Sequence, residues 1–204
     1  EVIVEGDKVF YGQTDISNYF HMIRVPAWMS QYFGLPRVRS SEVGLDGDDR
    51  WVWPVCVSLP MGFVRSVEIA QALRDHLVAP ALPSTCTTMR NGGNVRLTPD
   101  CDLQAGYIDD GTVISVHSAE RANTTTDAVC DACEAKGLRE KPSKRIVAGM
   151  QVVTDMLGVA GHEDGYLLPG ASGFAVTLAA TRHVCRVRHC SSKIMEKLLG
   201  RWVW

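Results

Sequence analysis

The stretch LQAGYIDDGTVISV, residues 103–116, decides the fold. Its halves, LQAGYI and TVISV, are β-prone and flank Asp109-Asp110-Gly111, which reads as tight hairpin chemistry. Two adjacent carboxylates are therefore predicted on a turn between antiparallel strands. Downstream, Ser118 is placed to cap a helix whose small or apolar positions Ala122, Thr126, Val129 and Cys133 follow spacings of four, three and four, with Gly137 ending it. Upstream, Val9 to Ile16 is short and β-prone and delivers Asp15 at its C-terminal end, before a tight or helical turn over Ser17 to Met22. Between these, Ser66 reads as the N-cap of an amphipathic helix over 66–79. Its apolar positions Val67, Ala70, Leu73 and Leu77 recur at helical spacing until Pro80 stops the run.

The connecting segments are less regular. Pro26 to Pro60 has no sustained period, four turn residues (Gly34, Pro36, Gly44, Gly47) and an acidic cluster of Asp46, Asp48 and Asp49; only Trp51 to Val57 alternates like a strand. Residues 80–102 hold three prolines and a Gly-Gly pair, which predicts a loop with at most a short hairpin. After Gly137 the chain turns basic, passes Pro142 and predicts a strand pair at Arg145 to Val153 and Met156 to Val159. Ser192 can cap a last helix in which Ile194, Leu198 and Trp202 share one face and Met195, Leu199 and Val203 an adjacent one. The element order fits an α+β plan, an antiparallel sheet backed by two helices. An apolar helix at an abrupt end, and no start signal at Glu1, lead us to expect a piece of a longer chain.

A chain of 204 residues, 46% hydrophobic and 22% charged, is long enough to bury a sizeable core. It has no run of eighteen apolar residues and no basic-then-apolar leader, so no membrane partner is expected, and the seven cysteines, an odd number without a framework, suit reduced thiols. An intracellular setting, cytoplasmic or nuclear, follows as the expectation. Cys130-x-x-Cys133 lies about fifty residues from His183, Cys185, His189 and Cys190, farther than compact zinc modules space their pairs. Charge is divided along the chain. Residues 1–135 carry 10 Lys+Arg against 18 Asp+Glu, and residues 136–204 carry 11 against 5. That division suits a basic portion gripping a phosphate backbone beside carboxylates that hold cations, and equally suits two solvated faces.

Asp15, Asp109 and Asp110 admit two readings on spacing alone. They are either ordinary surface acids or a site for divalent cations, where hard oxygen ligands favour magnesium and two ions form a clamp for in-line phosphoryl transfer. Here the residues resemble a family. TDISNYFHMIRVP (14–26), LPMGFVRSVEIAQ (59–71) and GYIDDGTVI (106–114) look like the first three palm motifs of reverse transcriptases, in order. GLREKPSK (137–144) resembles the fourth, MLGV (156–159) the fifth, and KLLGRWVW (197–204) the beginning of the thumb.

The resemblance implies an RNA-directed DNA polymerase of retroelement type, acting on an RNA or DNA template with a primer and on deoxynucleoside triphosphates. Partial fingers and palm would span 1–164, with an irregular finger-side insertion at about 26–58, and a truncated thumb would start over 165–204. It implies that Asp15, Asp109 and Asp110 are the catalytic acids and that two magnesium ions, replaceable by manganese, are held by Asp15, Asp109 and the carbonyl of Ile16, with Asp110 less direct. Phe20 would lie under the sugar and exclude a 2′-hydroxyl. Met61, Gly62, Ser66, Gln71 and Tyr107 would touch nucleotide or template, and Lys144 would protonate pyrophosphate. Where many relatives carry Gln, this chain has Met61, and Lys8 is the only base before Asp15, so the resemblance leads us to expect only part of the fingers here. An RNA-dependent RNA polymerase would need a small or acidic residue at Phe20 and usually Gly at Tyr107. A decayed copy that binds nucleic acid without synthesis is the alternative of another class.

Overall fold

The protein is described by a computed structural model covering residues 2–4, 8–89, 95–150, 153–156, 159–165, 167–169 and 171–203. Its elements in chain order are β1 (Val2–Val4), β2 (Phe10–Asp15), α1 (Tyr19–Met22), α2 (Ala27–Ser30), β3 (Val38–Arg39), β4 (Trp51–Val52) and α3 (Ser66–Val78). There follow β5 (Cys86–Thr88), β6 (Val95–Leu97), β7 (Asp102–Tyr107), β8 (Asp110–Ser115) and α4 (Ala119–Glu134). The last are β9 (Val153–Met156), β10 (Val159–His162), β11 (Leu167–Pro169), α5 (Ala171–Val187) and α6 (Ser192–Val203).

The central sheet runs β2-β8-β7-β5. The β7–β8 hairpin and the β2–β8 pair are antiparallel, as expected, but β5 lies parallel to β7, with Cys86 opposite Asp102. The sheet is therefore mixed rather than antiparallel. The parallel edge comes from the stretch predicted to be a loop, and it is fastened from outside the sheet: Arg121 on α4 donates to buried Asp102 (2.7 Å) and to the carbonyls of Pro99 and Thr85. Within the same stretch β6 joins β1 in a second parallel pair, not a hairpin.

One face of the sheet is covered by α3 and α4. Ser118 caps α4 by accepting from the Arg121 N–H, and Gly137, at φ +79°, turns the chain after it. The predicted stripe Ala122, Thr126, Val129 and Cys133 is buried, joined by Thr125 and Cys130. For α3 the boundaries hold but the face is rotated. The buried row is Ser66, Ala70, Arg74 and Val78, with Leu73 and Leu77 at its margin and Val67 exposed. Ser66 does not cap the helix. It is the first helical residue, fully buried, and its hydroxyl donates to the Pro60 carbonyl.

The opposite face is covered in part. Val9, Tyr11, Leu97, Leu103 and Val116 form a second core cluster there, and the Tyr11 hydroxyl donates to His162 O in β10. The end of that face nearest the β7–β8 turn carries the acids. The segment 26–58 is an extended, irregular ribbon: Trp51 to Ser58 alternates exposed and half-buried, yet only Trp51–Val52 forms a ladder, with Val38–Arg39. Arg145 to Met150 is not a strand; Ile146 makes one bridge to Gln13, and the antiparallel strands beyond it are β9 and β10. Leu157, Gly158 and Trp204, from the fifth and sixth motifs, lie outside the described residues.

Candidate active site

Register builds the site. Asp15, the last residue of β2, stands opposite Asp110, the first of β8, and Asp110 also pairs with Tyr107. The turn is therefore Ile108-Asp109, and the Asp-Gly pair predicted to form it begins the strand instead. Side chains alternate across a strand. Thr14, one residue before Asp15, accepts a hydrogen bond from Cys130 of α4, and a Cβ on Gly111, one residue after Asp110, would meet Arg74 of α3. Asp15 and Asp110 consequently project from the face away from both helices. The Ile16 N–H donates to Asp109 O at 3.0 Å, which ties the turn to the end of β2.

That turn is strained. Ile108 is β-branched, buried, and sits at φ +55°, a region such residues rarely occupy. Gln71 of α3 holds it there. Its Oε1 accepts from the Ile108 N–H at 2.9 Å, and its Nε2 donates to Gly106 O at 3.2 Å and to Asp75 at 2.8 Å. Gln71 and Ser66 thus act on this chain's own backbone, the first behind the acid turn and the second beneath the Pro60 turn.

Asp15 and Asp109 open onto a cleft of about 370 Å³ lined also by Ile16, Asn18, Phe20, Met61, Lys141 and Lys144, among others. Asn18, at φ +51°, reverses the chain after Asp15, and its carbonyl accepts from His21 and Met22 to start the turn that carries Phe20. Phe20 is half-buried against the main core, beside Tyr19, whose hydroxyl donates to Ala70 O at 2.9 Å. Met61 and Tyr107 are exposed, at 67% and 53%, and a Cβ on Gly62 would touch nothing in the chain.

Lys144 donates to Asp15 Oδ2, and this bond raises its pKa. Asp110 is pushed up to about 6 by burial first, then by its hydrogen bond with Asp15 and the charges of Asp109 and Asp15, against the pull of Lys144. Three carboxylates thus crowd one point, and the Lys144 ammonium is salt-bridged to one of them, Asp15. Among the described residues no three ligand side chains are already disposed around an ion. The donor set nevertheless fits a hard divalent cation: clustered carboxylate oxygens, a surplus of negative charge and an open face.

No family model matches the chain, and no curated protein matches it. Solved structures do. The foamy viral protease-reverse transcriptase dRH in complex with double-stranded DNA superposes with a TM-score of 0.61 at 14% identity, over 98% of this chain and 27% of that one. The foamy viral protease-reverse transcriptase in complex with an RNA/DNA hybrid gives 0.63 at 13% identity, over 98% and 21%. The fold is reverse-transcriptase-like. The chain spans about a quarter of the length of these structures, and at such identity the likeness concerns the fold alone. Among the described residues no helix is long and apolar enough to cross a membrane.

The resemblance did not point to Arg74, Lys141 or the left-handed Asn18. Only Asn18 carried a local signal, since Asn tolerates that conformation where most residues do not.

Proposed function

We propose that this chain is the partial fingers, palm and first thumb helices of an RNA-directed DNA polymerase, which extends a primer with deoxynucleotides along a template. The observation that carries the reading is the convergence of Asp15, Asp109 and Asp110 at one sheet end, the first two lining a cleft that also presents Phe20 and Lys144. Asp15 and Asp109 would hold two divalent ions with the Ile16 carbonyl, and Asp110 would sit beside them. When bound, such ions activate a 3′-hydroxyl and neutralise a triphosphate. Everything else falls to the chain. Phe20, braced by Tyr19 and the core, closes the cleft floor to a 2′-hydroxyl, and exposed Met61 and Gly62 leave room for a nucleotide. Lys144, drawn to Asp15 without substrate, is within reach to protonate departing pyrophosphate.

The test is primer extension on an RNA template, with dTTP compared against UTP. Extension is expected with dTTP, lost in Asp109→Asn, and Phe20→Ala is expected to raise relative UTP use by at least about tenfold. Synthesis that survives Asp109→Asn refutes the acid assignment. Preference of the unaltered protein for UTP moves it to the RNA polymerases, and template binding without synthesis marks a binding domain.

A further inference from the structure

Among the described residues Arg74 is the largest side chain that is almost fully buried, at 1% exposure, on the face of α3 that meets the sheet. Among the described residues nothing hydrogen-bonds or ion-pairs with it, and its Nε is buried without a partner. Burying a cation without an acidic partner is costly, and chains ordinarily place Met or Leu at such positions. Here the sheet is cut to receive it. A Cβ on Gly106 would overlap Nη1 and a Cβ on Gly111 would overlap Nη2, and these two glycines are directly paired in the β7–β8 register. Neither has positive φ, so neither is required by its backbone. Gln104 Nε2, beside the same gap, is another buried donor without an acceptor. Burial pushes the guanidinium's pKa down, and the carboxylates that oppose this are exposed Asp75 and, across the sheet, Asp110.

We infer that Arg74 is a positioning residue for the carboxylate cluster. It is a fixed positive charge set against the back of the Asp15–Asp110 strand pair, in a socket made by Gly106 and Gly111, and it weakens the cluster's hold on divalent cations. The inference rests on the metal-site reading above. Lys144 offers a counter-charge on the open face, on an exposed and flexible stem, whereas Arg74 is walled in and keeps its charge. A cation entering the cluster displaces the first and still feels the second. Removing the charge should therefore tighten cation binding, while a merely structural arginine would, on removal, loosen the site or leave it alone.

The experiment is Mn²⁺ titration at pH 8, read by electron paramagnetic resonance of free Mn²⁺, on the wild-type protein, Asp109→Asn, Arg74→Met, Arg74→Gln and Arg74→Lys. Wild-type binding lost in Asp109→Asn, tightened on the order of tenfold in Arg74→Met and near wild type in Arg74→Lys supports the inference. Near-ultraviolet circular dichroism verifies the fold, and Arg74→Gln, which keeps a polar head in the socket, carries the test if the Met variant unfolds. Wild-type binding that is lost in Asp109→Asn but unchanged or weaker in the neutral variants overturns the role of Arg74 alone. No wild-type binding, or binding indifferent to Asp109→Asn, overturns the metal-site reading and this inference with it.

Discussion

Replacing Gln71 by Met removes the hydrogen bonds to Ile108 N–H and Gly106 O while keeping the length of the side chain. The Ile108 N–H is then a buried donor without a partner, at about 1–3 kcal/mol. The left-handed conformation of a β-branched residue already costs about 1–3 kcal/mol in the wild-type fold, so losing the clamp adds none of it and frees the turn to shed it. The turn can relax and recover part of both, so the net loss should be about 1 kcal/mol. For a chain of this size that is a fall in Tm of roughly 2–4 °C. Ile108→Gly separates clamp from strain, because glycine takes φ +55° freely. If Gln71 holds a strained turn, the penalty of Gln71→Met should grow by about 1 kcal/mol in the Ile108→Gly background, where losing the clamp releases no strain, a coupling measurable by urea denaturation of the four proteins. Equal penalties in both backgrounds, or none in either, would refute the clamp.

Two other outcomes follow from the same geometry. Asp110, held near 6 against an ordinary 3.8, binds its proton more tightly in the folded protein. Its contribution is fully present below about pH 4 and is lost as pH rises through 6, so in chelator-treated protein Asp110→Asn should melt above wild type at pH 7 and converge with it near pH 4. The gap should be only about 1 kcal/mol because the group is partly exposed, and parallel curves from pH 4 to 8 would count against the crowded-acid picture. Elsewhere, a Cβ on Gly12 would overlap Thr126 Oγ1, the hydroxyl that donates to Ala122 O at 2.7 Å where α4 crosses β2. Gly12→Ala should cost about 1–3 kcal/mol, and Gly12→Ala with Thr126→Ala should recover much of it; a destabilisation that ignores Thr126 would place the close approach elsewhere.

Much of the framework was legible because its signals are local. The cap at Ser118, the stop at Gly137 and the alternation that ends on Asp15 each depend on a few neighbouring residues. What stayed hidden depends on distant partners. No periodicity in Cys86–Thr88 tells of a parallel neighbour at Asp102–Gln104, since that pairing is secured by Arg121 from a helix further along the chain. The face of α3 was misread for a related reason: apolar spacing assigns inward positions by hydrophobicity, and the residue that points most directly inward is an arginine.

Gly111 shows how one residue can mislead at both levels. Beside Asp110 it resembles the glycine of an Asp-Gly turn, and the hairpin it suggests does exist. The left-handed residue of that turn is nevertheless Ile108, and Gly111 lies within β8 at ordinary φ. Its missing side chain is needed for volume rather than for backbone freedom, because together with Gly106 it makes the space that the guanidinium of Arg74 fills. Neither glycine is intelligible without the arginine 32 and 37 positions earlier, and the buried arginine has no seat without them. The three are one device, and it stands immediately behind the acids that the cleft presents.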